Sequence, residues 1–272
     1  MEELLEMELS HPHYDVVVIG GGAAGLICAG TAAKRGLKVL IIEKNSKCAR
    51  KVMITGKGRC NITNRCTIDE FLENVTKNPR FLYAALSELD PESTVSFFNS
   101  LGVETKTERG RRVFPVSDRA EDIVRALVGA CKEIGVNICY ERVTSLRIEN
   151  GELLGLNTEK NSYDADAVII CTGGKSYPRT GSDGDGYRFA RQAGHTVTEL
   201  RPSLVPIVAG GNLCQRMQGL SLKNVSLTAK RASKIVYEDF GEMLFTHFGI
   251  SGPLVISASS YYAHKKCKND DN

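Results

Sequence analysis

Residues 16–43 read VVVIGGGAAGLICAGTAAKRGLKVLIIE, and this stretch decides the fold. Residues 14–19 form a run that is apolar on both faces, which is typical of a buried strand in a parallel sheet. The pattern then predicts a helix over residues 23–35, which Gly36 ends, and a second buried strand over residues 37–42. A strand, a short glycine turn, a helix and a strand form a βαβ unit with a right-handed crossover.

The glycines between the first strand and the helix follow the pattern Gly20-x-Gly22-x-x-Gly25. Gly20 allows the tight turn, Gly22 lets the backbone approach a pyrophosphate, and Gly25 lets the helix pack closely on the strand. Glu43 ends the second strand 18 residues after Gly25, near the spacing of about 20 at which an acid accepts hydrogen bonds from ribose hydroxyls. A plain tight turn beside a solvated acid is the alternative, but strand, turn, helix and acid in register favour a dinucleotide site.

Residues 16–33 also form an uncharged run of 18 residues, the threshold length for a membrane span. The run contains five glycines, and three of them are consecutive where β-branched VVVI changes to helix-like AAGLICAGTAA. A strand, a turn and a helix explain this change better than one spanning helix does. We therefore expect no membrane partner.

Composition limits the remaining classes. The 272 residues are 42% hydrophobic and 25% charged, which is enough for a sizeable core and typical of globular domains. A net charge of +3 is too balanced to predict a nucleic-acid partner. The nine cysteines are odd in number and lack a CxxC pair, and the acidic start MEELLEMELS is unlike a signal peptide. These features predict free thiols, no metal site and a cytoplasmic location.

The rest of the first 199 residues alternates helices and strands. The clearest helix is predicted over residues 118–134, with a capping box at Asp118 and Glu121 and a stop at Gly135. Asn150-Gly151 predicts a type I′ hairpin. Further helices are predicted over residues 81–89, 94–101 and 185–193, and strands over residues 136–140, 143–148, 153–157 and 165–171.

Two stretches differ in texture from this alternation. Residues 43–66 show little periodicity, and a connection of that length is usually functional. From about residue 200 onward, the short apolar runs LVPIV, SLTAK, KIVYE and EMLFT predict a β-rich region, followed by a helix over residues 253–263. We therefore predict two domains, residues 14–199 and residues 200–272.

A second glycine turn helps to choose the dinucleotide. Residues 168–174 read VIICTGG, a buried strand that ends in Thr-Gly-Gly. Such a turn brings another backbone segment near the same cofactor, and the hairpin before it is common in FAD-binding folds. An ordinary strand-end turn is the alternative, and the combination favours FAD.

With these motifs in place, the chain resembles the YhiN/BaiN-type flavoproteins, FAD-dependent oxidoreductases of the two-dinucleotide-binding superfamily. The matching stretches cover almost the whole chain from residue 14 onward. They are VVVIGGGAAGLICAGTAAKRGLKVLIIEKN (residues 16–45), RKVMITGKGRCNITN (50–64), ICTGGKSYPRTGSDGDGYRFARQAGH (170–195), RPSLVPI (201–207) and LFTHFGISGP (244–253).

The resemblance implies the fold and the cofactor contacts. The fold is α/β, a Rossmann-like FAD/NAD(P)-binding domain with the beginning of an inserted β-rich domain. The turn at Gly20, Gly21, Gly22, Ala23, Ala24 and Gly25 is expected at the FAD pyrophosphate, and Glu43 with Lys44 at the adenosine ribose. The other implied FAD contacts are Lys51, Gly58, Arg59, Cys60, Asn61, Val143, Thr172, Gly173 and Gly174.

The resemblance also sets expectations for activity. Family members continue past the β-rich insertion into a glycine-rich segment near the flavin, which this sequence lacks, so we expect a C-terminally truncated member with weakened FAD binding. The reaction is expected to be oxidation or reduction of a small organic substrate, with enone reduction of the bile-acid or steroid type as one candidate. NAD(P)H is a candidate electron donor, although a second GxGxxG unit is not visible.

Few residues are candidates for acid–base or redox catalysis. His247 in THFG is a candidate proton donor, and Cys60 beside Arg59 is a candidate redox group, but each also fits a structural role. Cys60 and Cys66 are separated by five residues rather than the four of a disulfide-reductase motif, which argues against that class. A flavin-dependent RNA-modifying enzyme and an inactive or weakly FAD-binding fragment stay open as alternatives.

Overall fold

The computed structural model describes residues 11–264. In chain order, the strands are β1 His13–Ile19, β2 Val39–Ile42, β3 Thr63–Asn64, β4 Thr105–Glu108, β5 Arg112–Pro115, β6 Asn137–Cys139, β7 Val143–Glu149, β8 Glu152–Thr158, β9 Ser162–Ile170, β10 Ile207–Val208, β11 Ser221–Arg231, β12 Lys234–Thr246 and β13 Gly249–Ser251. The α-helices are α1 Ala23–Lys34, α2 Arg50–Ile54, α3 Ile68–Glu73, α4 Tyr83–Glu88, α5 Pro91–Ser100, α6 Ala120–Glu133, α7 Asp185–Gln192, α8 Leu213–Arg216 and α9 Pro253–His264.

The chain folds into two compact units. The first contains residues 11–67 and 86–197, and the second contains residues 68–85 and 198–264. The main boundary lies two residues before the predicted one. The segment 68–85, which the sequence groups with the first domain, belongs to the second unit. The extent of the FAD-binding domain stays a prediction.

The first unit is built on a six-stranded sheet with the order β6-β2-β1-β9-β8-β7. The strands β6, β2, β1 and β9 run parallel to one another, while β8 and β7 are antiparallel to their neighbours. Ile19 of β1 lies beside Ile42 of β2 and Ile170 of β9. The return of the predicted 165–171 strand to the central sheet is therefore confirmed, and so is the Rossmann-like α/β fold class.

Both faces of β1 are covered, which explains its continuous apolar sequence. Val16 and Val18 pack in one buried cluster with residues of α1 and α6, such as Leu26 and Ile123. Val17 and Ile19 pack on the opposite face, in a cluster that also holds Leu146, Leu156 and Phe189. A strand covered in this way has no solvent face, so its sequence does not alternate.

Two local predictions near α6 and β7 had different outcomes. Asn150 and Gly151 both have positive φ values, 52° and 85°, which confirms the type I′ turn. The predicted capping box is wrong. Asp118 adopts a left-handed conformation with φ 54°, and its carboxylate accepts hydrogen bonds from Lys106 and Arg59. Arg119 takes the N-cap position without a side-chain cap.

Residues 43–66 are more ordered than their sequence suggests. They contain α2, a 3₁₀ turn at Thr55–Gly58, and β3, which joins β5 and β4 in a three-stranded antiparallel sheet. The β4–β5 hairpin was not predicted from the sequence, because its strands TKTE and RVFP lack apolar alternation.

The second unit contains a four-stranded sheet with the order β10-β13-β12-β11, as the predicted β-rich texture indicates. The runs KIVYE and EMLFT are not two strands but one, β12, which pairs antiparallel with β11 across the intervening Asp239, Phe240 and Gly241. Glycine at position 241 lets Leu254 of α9 pack close to this strand. A Cβ at this position would lie 3.3 Å from Cδ2 of Leu254.

Candidate dinucleotide site

The first unit encloses a cavity of about 690 Å³ at the carboxyl ends of its parallel strands. In the sheet, β2 lies on one side of β1 and β9 lies on the other, so the strand order reverses between β1 and β9. The cavity lies at this point, which is the usual ligand position in open α/β sheets. The lining residues are Ile19, Gly20, Gly22, Ala23, Ala24, Ile42, Glu43, Lys44, Asn45, Ala49, Arg50, Lys51, Val52, Thr55, Glu141, Arg142, Val143, Ile170, Cys171, Thr172, Gly173, Thr180, Gly181, Ser182, Asp185, Gly186, Tyr187 and Phe189.

The first glycine turn has the steric properties that its motif predicts. Gly20 has φ +106°, and a Cβ there would lie 2.6 Å from the carbonyl oxygen of Cys171. A Cβ on Gly25 would lie 1.9 Å from the carbonyl oxygen of Gly20, so α1 can approach the turn only with glycine at this position. Gly22 differs, because a Cβ there would meet nothing within 4 Å. Gly22 lines the cavity at the start of α1.

Glu43 closes the base of this turn. Its side chain is buried, and its Oε2 accepts a hydrogen bond of 2.8 Å from the Gly21 backbone N–H. Its Oε1 accepts from the backbone N–H of Asn45 at 2.8 Å and from the Asn45 side-chain amide at 2.5 Å. A carboxylate offers about four acceptor positions, and these three donors leave one of them. Its contact with a ribose stays a prediction.

Lys51 connects α2 to the second glycine turn. Its ammonium donates to the Ser176 carbonyl oxygen at 2.8 Å and to the Ser182 hydroxyl at 2.7 Å. Burial lowers the pKa of Lys51. Ser182 packs against Gly173, where a Cβ would lie 2.6 Å from its Oγ. Among the described residues, Lys51 forms no ion pair with a carboxylate. Its ammonium group therefore has only neutral hydrogen-bond partners in the part of the chain that the structure describes.

Lys44, Arg142, Asp183 and Asp185 form a second feature at the cavity edge, which we call the four-charge cluster. Arg188 lies beside it, with its Nη2 3.4 Å from Asp185. Lys44 Nζ lies 2.6 Å from Asp183 and 2.9 Å from Asp185. Arg142 Nη2 lies 3.1 Å from Asp183 and 2.9 Å from Asp185. Partial burial raises the pKa of Asp183, but hydrogen bonds from Lys44 and Arg142 outweigh it and lower that pKa to about 2. Asp183 is therefore ionised at neutral pH.

The cavity brings together part of the predicted FAD site. Among the predicted residues, those lining it are Gly20, Gly22, Ala23, Ala24, Glu43, Lys44, Lys51, Val143, Thr172 and Gly173. Those that do not line it are Gly21, Gly25, Gly58, Arg59, Cys60, Asn61 and Gly174. Their contact with FAD stays a prediction. The lining also contains Arg50, Arg142, Ser182 and Asp185, which were not predicted from the sequence. The acidic run SDGD at the start of α7 is the signal that could have identified the last two.

The guanidinium of Arg59 has protein partners in place of a phosphate. Its Nη1 lies 2.9 Å from Glu108 and 3.3 Å from Asp118, and the group stacks on Phe114 at 4.0 Å from the ring centre. The neighbouring Cys60 is buried, and this burial raises the pKa of its thiol. A thiol with a raised pKa is a poor nucleophile at neutral pH. These contacts favour a structural role for both residues.

Other predicted residues lie away from the cavity lining. His247 is exposed in the turn between β12 and β13 of the second unit, with its ring 4.9 Å from that of Phe248. At the amino end of β1, the side chains of His13, Asp15 and Asp166 hold potential metal-ligand atoms within 4.8 Å of one another. His13 and Asp166 bond each other at 2.9 Å, and both are exposed. The expectation of no metal stays a prediction.

These features define a dinucleotide-binding unit of the Rossmann type. Residues 14–253 match the family described as HI0933-like protein Rossmann domain. The chain belongs to this family. The match confirms the resemblance to FAD-dependent oxidoreductases and supports FAD as the cofactor. Within residues 11–264, we find no helix with the length and apolar character needed to cross a bilayer.

Two relatives of this chain are named as a reductase and a synthase. It is 32% identical over 252 residues to the 3-dehydro-bile acid delta(4,6)-reductase of Clostridium scindens, covering 90% of this chain and 60% of the relative. It is 32% identical over 251 residues to the ribosomal RNA dihydrouridine synthase of Escherichia coli, covering 92% of this chain and 61% of the relative. The chain thus spans about 60% of the length of these relatives.

A solved structure supports the fold. The open conformation of a flavocytochrome c3 fumarate reductase superposes with a TM-score of 0.57 at 18% identity, over 82% of this chain and 49% of that one. At this identity the likeness concerns the arrangement of the elements.

Proposed function

We propose that this chain binds FAD in the cavity of the first unit, with the pyrophosphate at the start of α1. The observation that carries the proposal is the open side of Gly22, which leaves a cradle in the cavity wall beside the first N–H groups of α1. Free N–H groups and the partial positive charge of a helix start bind phosphates. The cavity volume of about 690 Å³ lies within the range of about 300–1,000 Å³ for ligand sites.

The charges around the cradle support an anionic ligand. The Ala49 backbone N–H donates to the Gly21 carbonyl oxygen at 2.8 Å, so α2 begins beside the first glycine turn. The first two residues of α2, Arg50 and Lys51, line the cavity, and in the described part of the chain neither pairs with a carboxylate. Two cations next to the cradle would offset the charge of a pyrophosphate.

For the reaction, we propose that the protein reduces a carbon–carbon double bond conjugated to a carbonyl group. Bound flavin supplies hydride chemistry, and the protein supplies binding, orientation and exclusion of water. The substrate takes up a hydride at the β-carbon and a proton at the α-carbon, so the reduction consumes two electrons in all. The relatives' names agree on this step, because a 3-keto Δ4 bile acid and a uracil ring both carry a double bond conjugated to a carbonyl.

The first substrate candidate is an enone of the bile-acid or steroid type, and the second is a uridine in RNA. The observation that favours the second is the identity of 32% to the Escherichia coli relative. NAD(P)H is our candidate electron donor. The cytoplasm is our proposed location, which is consistent with free thiols at all eight cysteines of the described region.

One experiment separates these candidates without knowledge of the natural electron donor. The purified protein is loaded with FAD, reduced with dithionite under anaerobic conditions, and mixed with a steroid 4,6-dien-3-one, the matching saturated 3-ketone or a ribosomal RNA fragment. We expect the flavin absorbance near 450 nm to return with the dienone or the RNA, and to stay low with the saturated ketone. Reoxidation by neither conjugated substrate would contradict the proposed reaction.

A further inference from the structure

The segment between β9 and α7 forms one wall of the cavity and has an unusual construction. We call residues 172–184 the strap. Its backbone is left-handed at Gly173, Tyr177, Gly181 and Gly184, with φ values of 72°, 53°, 105° and 95°. Ser182 is its one buried residue, and Tyr177 is 68% exposed. The strap therefore contributes almost no apolar side chain to either buried cluster of the first unit.

Polar contacts from other elements hold the strap against the cavity. Lys51 of α2 donates to the Ser176 carbonyl oxygen and the Ser182 hydroxyl, and the Asn45 amide donates to the Thr180 carbonyl oxygen at 3.4 Å. Within the four-charge cluster, Asp183 belongs to the strap and Asp185 is the first residue of α7, so the cluster fastens the point where the strap enters α7. Segments with few apolar contacts open at low free-energy cost compared with the core. The polar contacts thus decide how often this wall opens.

The four-charge cluster is the strongest of these fastenings by geometry. Each of its two cations contacts both carboxylates, and the cations come from different places, Lys44 after β2 and Arg142 before β7. The side chains of Lys44 and Asp185 are 18% and 12% exposed, so water screens their pair less than a surface pair, whereas Arg142 and Asp183 are 42% and 36% exposed and their contacts are more screened. The cluster joins two strand ends of the sheet to the strap.

We propose that Lys44 and Arg142 are positioning residues: by holding Asp183 and Asp185 they keep the strap closed against a bound dinucleotide, and the opening of this cluster limits the rate of cofactor release. The inference rests on the proposed function, because it needs FAD in the cavity. It gives these four side chains a role in setting the rate of FAD release.

The test compares release rates of FAD from the wild type and an Arg142→Met variant. FAD is displaced with excess ADP, and its fluorescence recovery gives the rate. Loss of the two ion pairs of this partly exposed cation is expected to speed release by about 2- to 30-fold. Arg125→Met is the matched control, since Arg125 pairs with Asp122 on α6 outside the cavity lining, and its release rate should equal that of the wild type.

Two further readouts separate a positioning role from a general loss of stability. Sodium chloride should speed FAD release from the wild type more than from Arg142→Met, because the variant lacks the ion pairs of Arg142 and keeps only those of Lys44 with the two carboxylates. Trypsin cleavage after the exposed Lys175 and Arg179 reports strap opening, and it should be faster in the variant and slowed by FAD. Arg142→Lys, which keeps a cation, should restore most of the wild-type rate.

Asp183→Asn is a milder second variant if Arg142→Met does not fold, and it should also speed release. Combined, the two changes should speed release by less than the product of their separate effects, because they disrupt one cluster. Unchanged release rates in folded variants would overturn the inference and leave the FAD proposal intact. A wild type that does not bind FAD would overturn both.

Discussion

The substitution Gly22→Val should strongly weaken FAD binding without unfolding the protein. Gly22 is the N-cap of α1 and has extended backbone angles, φ −77° and ψ −174°, which any L-residue adopts. A Cβ at this position meets no protein atom within 4 Å, so the isopropyl group does not clash with the fold. Because Gly22 lines the cavity, we expect the added side chain to occupy the proposed cradle. The substitution therefore separates the binding role of the motif from its folding role.

The expected magnitudes follow from this geometry. Replacing glycine by valine at an N-cap lowers the free energy of unfolding by about 1 kcal/mol or less. In the cavity, the side chain displaces an anion from the N–H groups at the start of α1. Each hydrogen bond to a charged group contributes about 1.5–3 kcal/mol. Loss of two such bonds weakens FAD binding by about 10²- to 10⁴-fold.

The assay is titration of the protein with FAD, followed by flavin fluorescence, together with a thermal melt of each variant. Gly129→Val is the matched control, because Gly129 lies in α6 outside the cavity lining and its Cβ also meets nothing within 4 Å. It should bind FAD as the wild type does. A folded Gly22→Val variant with an FAD affinity within about threefold of wild type would refute the placement of the pyrophosphate.

Three more outcomes can be measured. Gly25→Ala should lower the free energy of unfolding, measured with urea, by about 3 kcal/mol, because its Cβ would lie 1.9 Å from the Gly20 carbonyl oxygen. Gly30→Ala is the control and should not destabilise the protein, because the nearest side-chain atom would lie 3.8 Å from its Cβ. Glu43→Gln should cost about 1–3 kcal/mol in the same assay, because one amide oxygen cannot accept all the N–H donors that the carboxylate accepts now; an unchanged midpoint would contradict this. Cys60 should react slowly with iodoacetamide at pH 7.5 in the folded protein, as its raised pKa implies, and rapid labelling seen by mass spectrometry would contradict burial.

The parts of the fold that follow from local sequence were predictable. The turn from β1 into α1 needs glycine at Gly20 for its φ value and at Gly25 for close packing, and both requirements act within a few residues. The Asn150-Gly151 hairpin has the same local character. Such features can be predicted because the physical constraint and the residues that satisfy it are neighbours in the chain.

The parts of the site that depend on distant residues were not predictable. Lys44 and Arg142 meet Asp183 and Asp185 although about 40 to 140 positions separate them, and no local pattern encodes such a pairing. Arg59 shows the same limit. Its charge suggested a phosphate ligand, but the unpredicted β4–β5 region supplies carboxylates that already engage it.

Every prediction about the cavity depends on FAD binding at the start of α1. The most direct measurement is a titration of the purified wild-type protein with FAD, repeated in the presence of ADP, which shares the pyrophosphate and adenosine with FAD. We predict saturable binding of one FAD per chain that ADP competes away. Absence of saturable binding, or binding that ADP does not affect, would contradict the account.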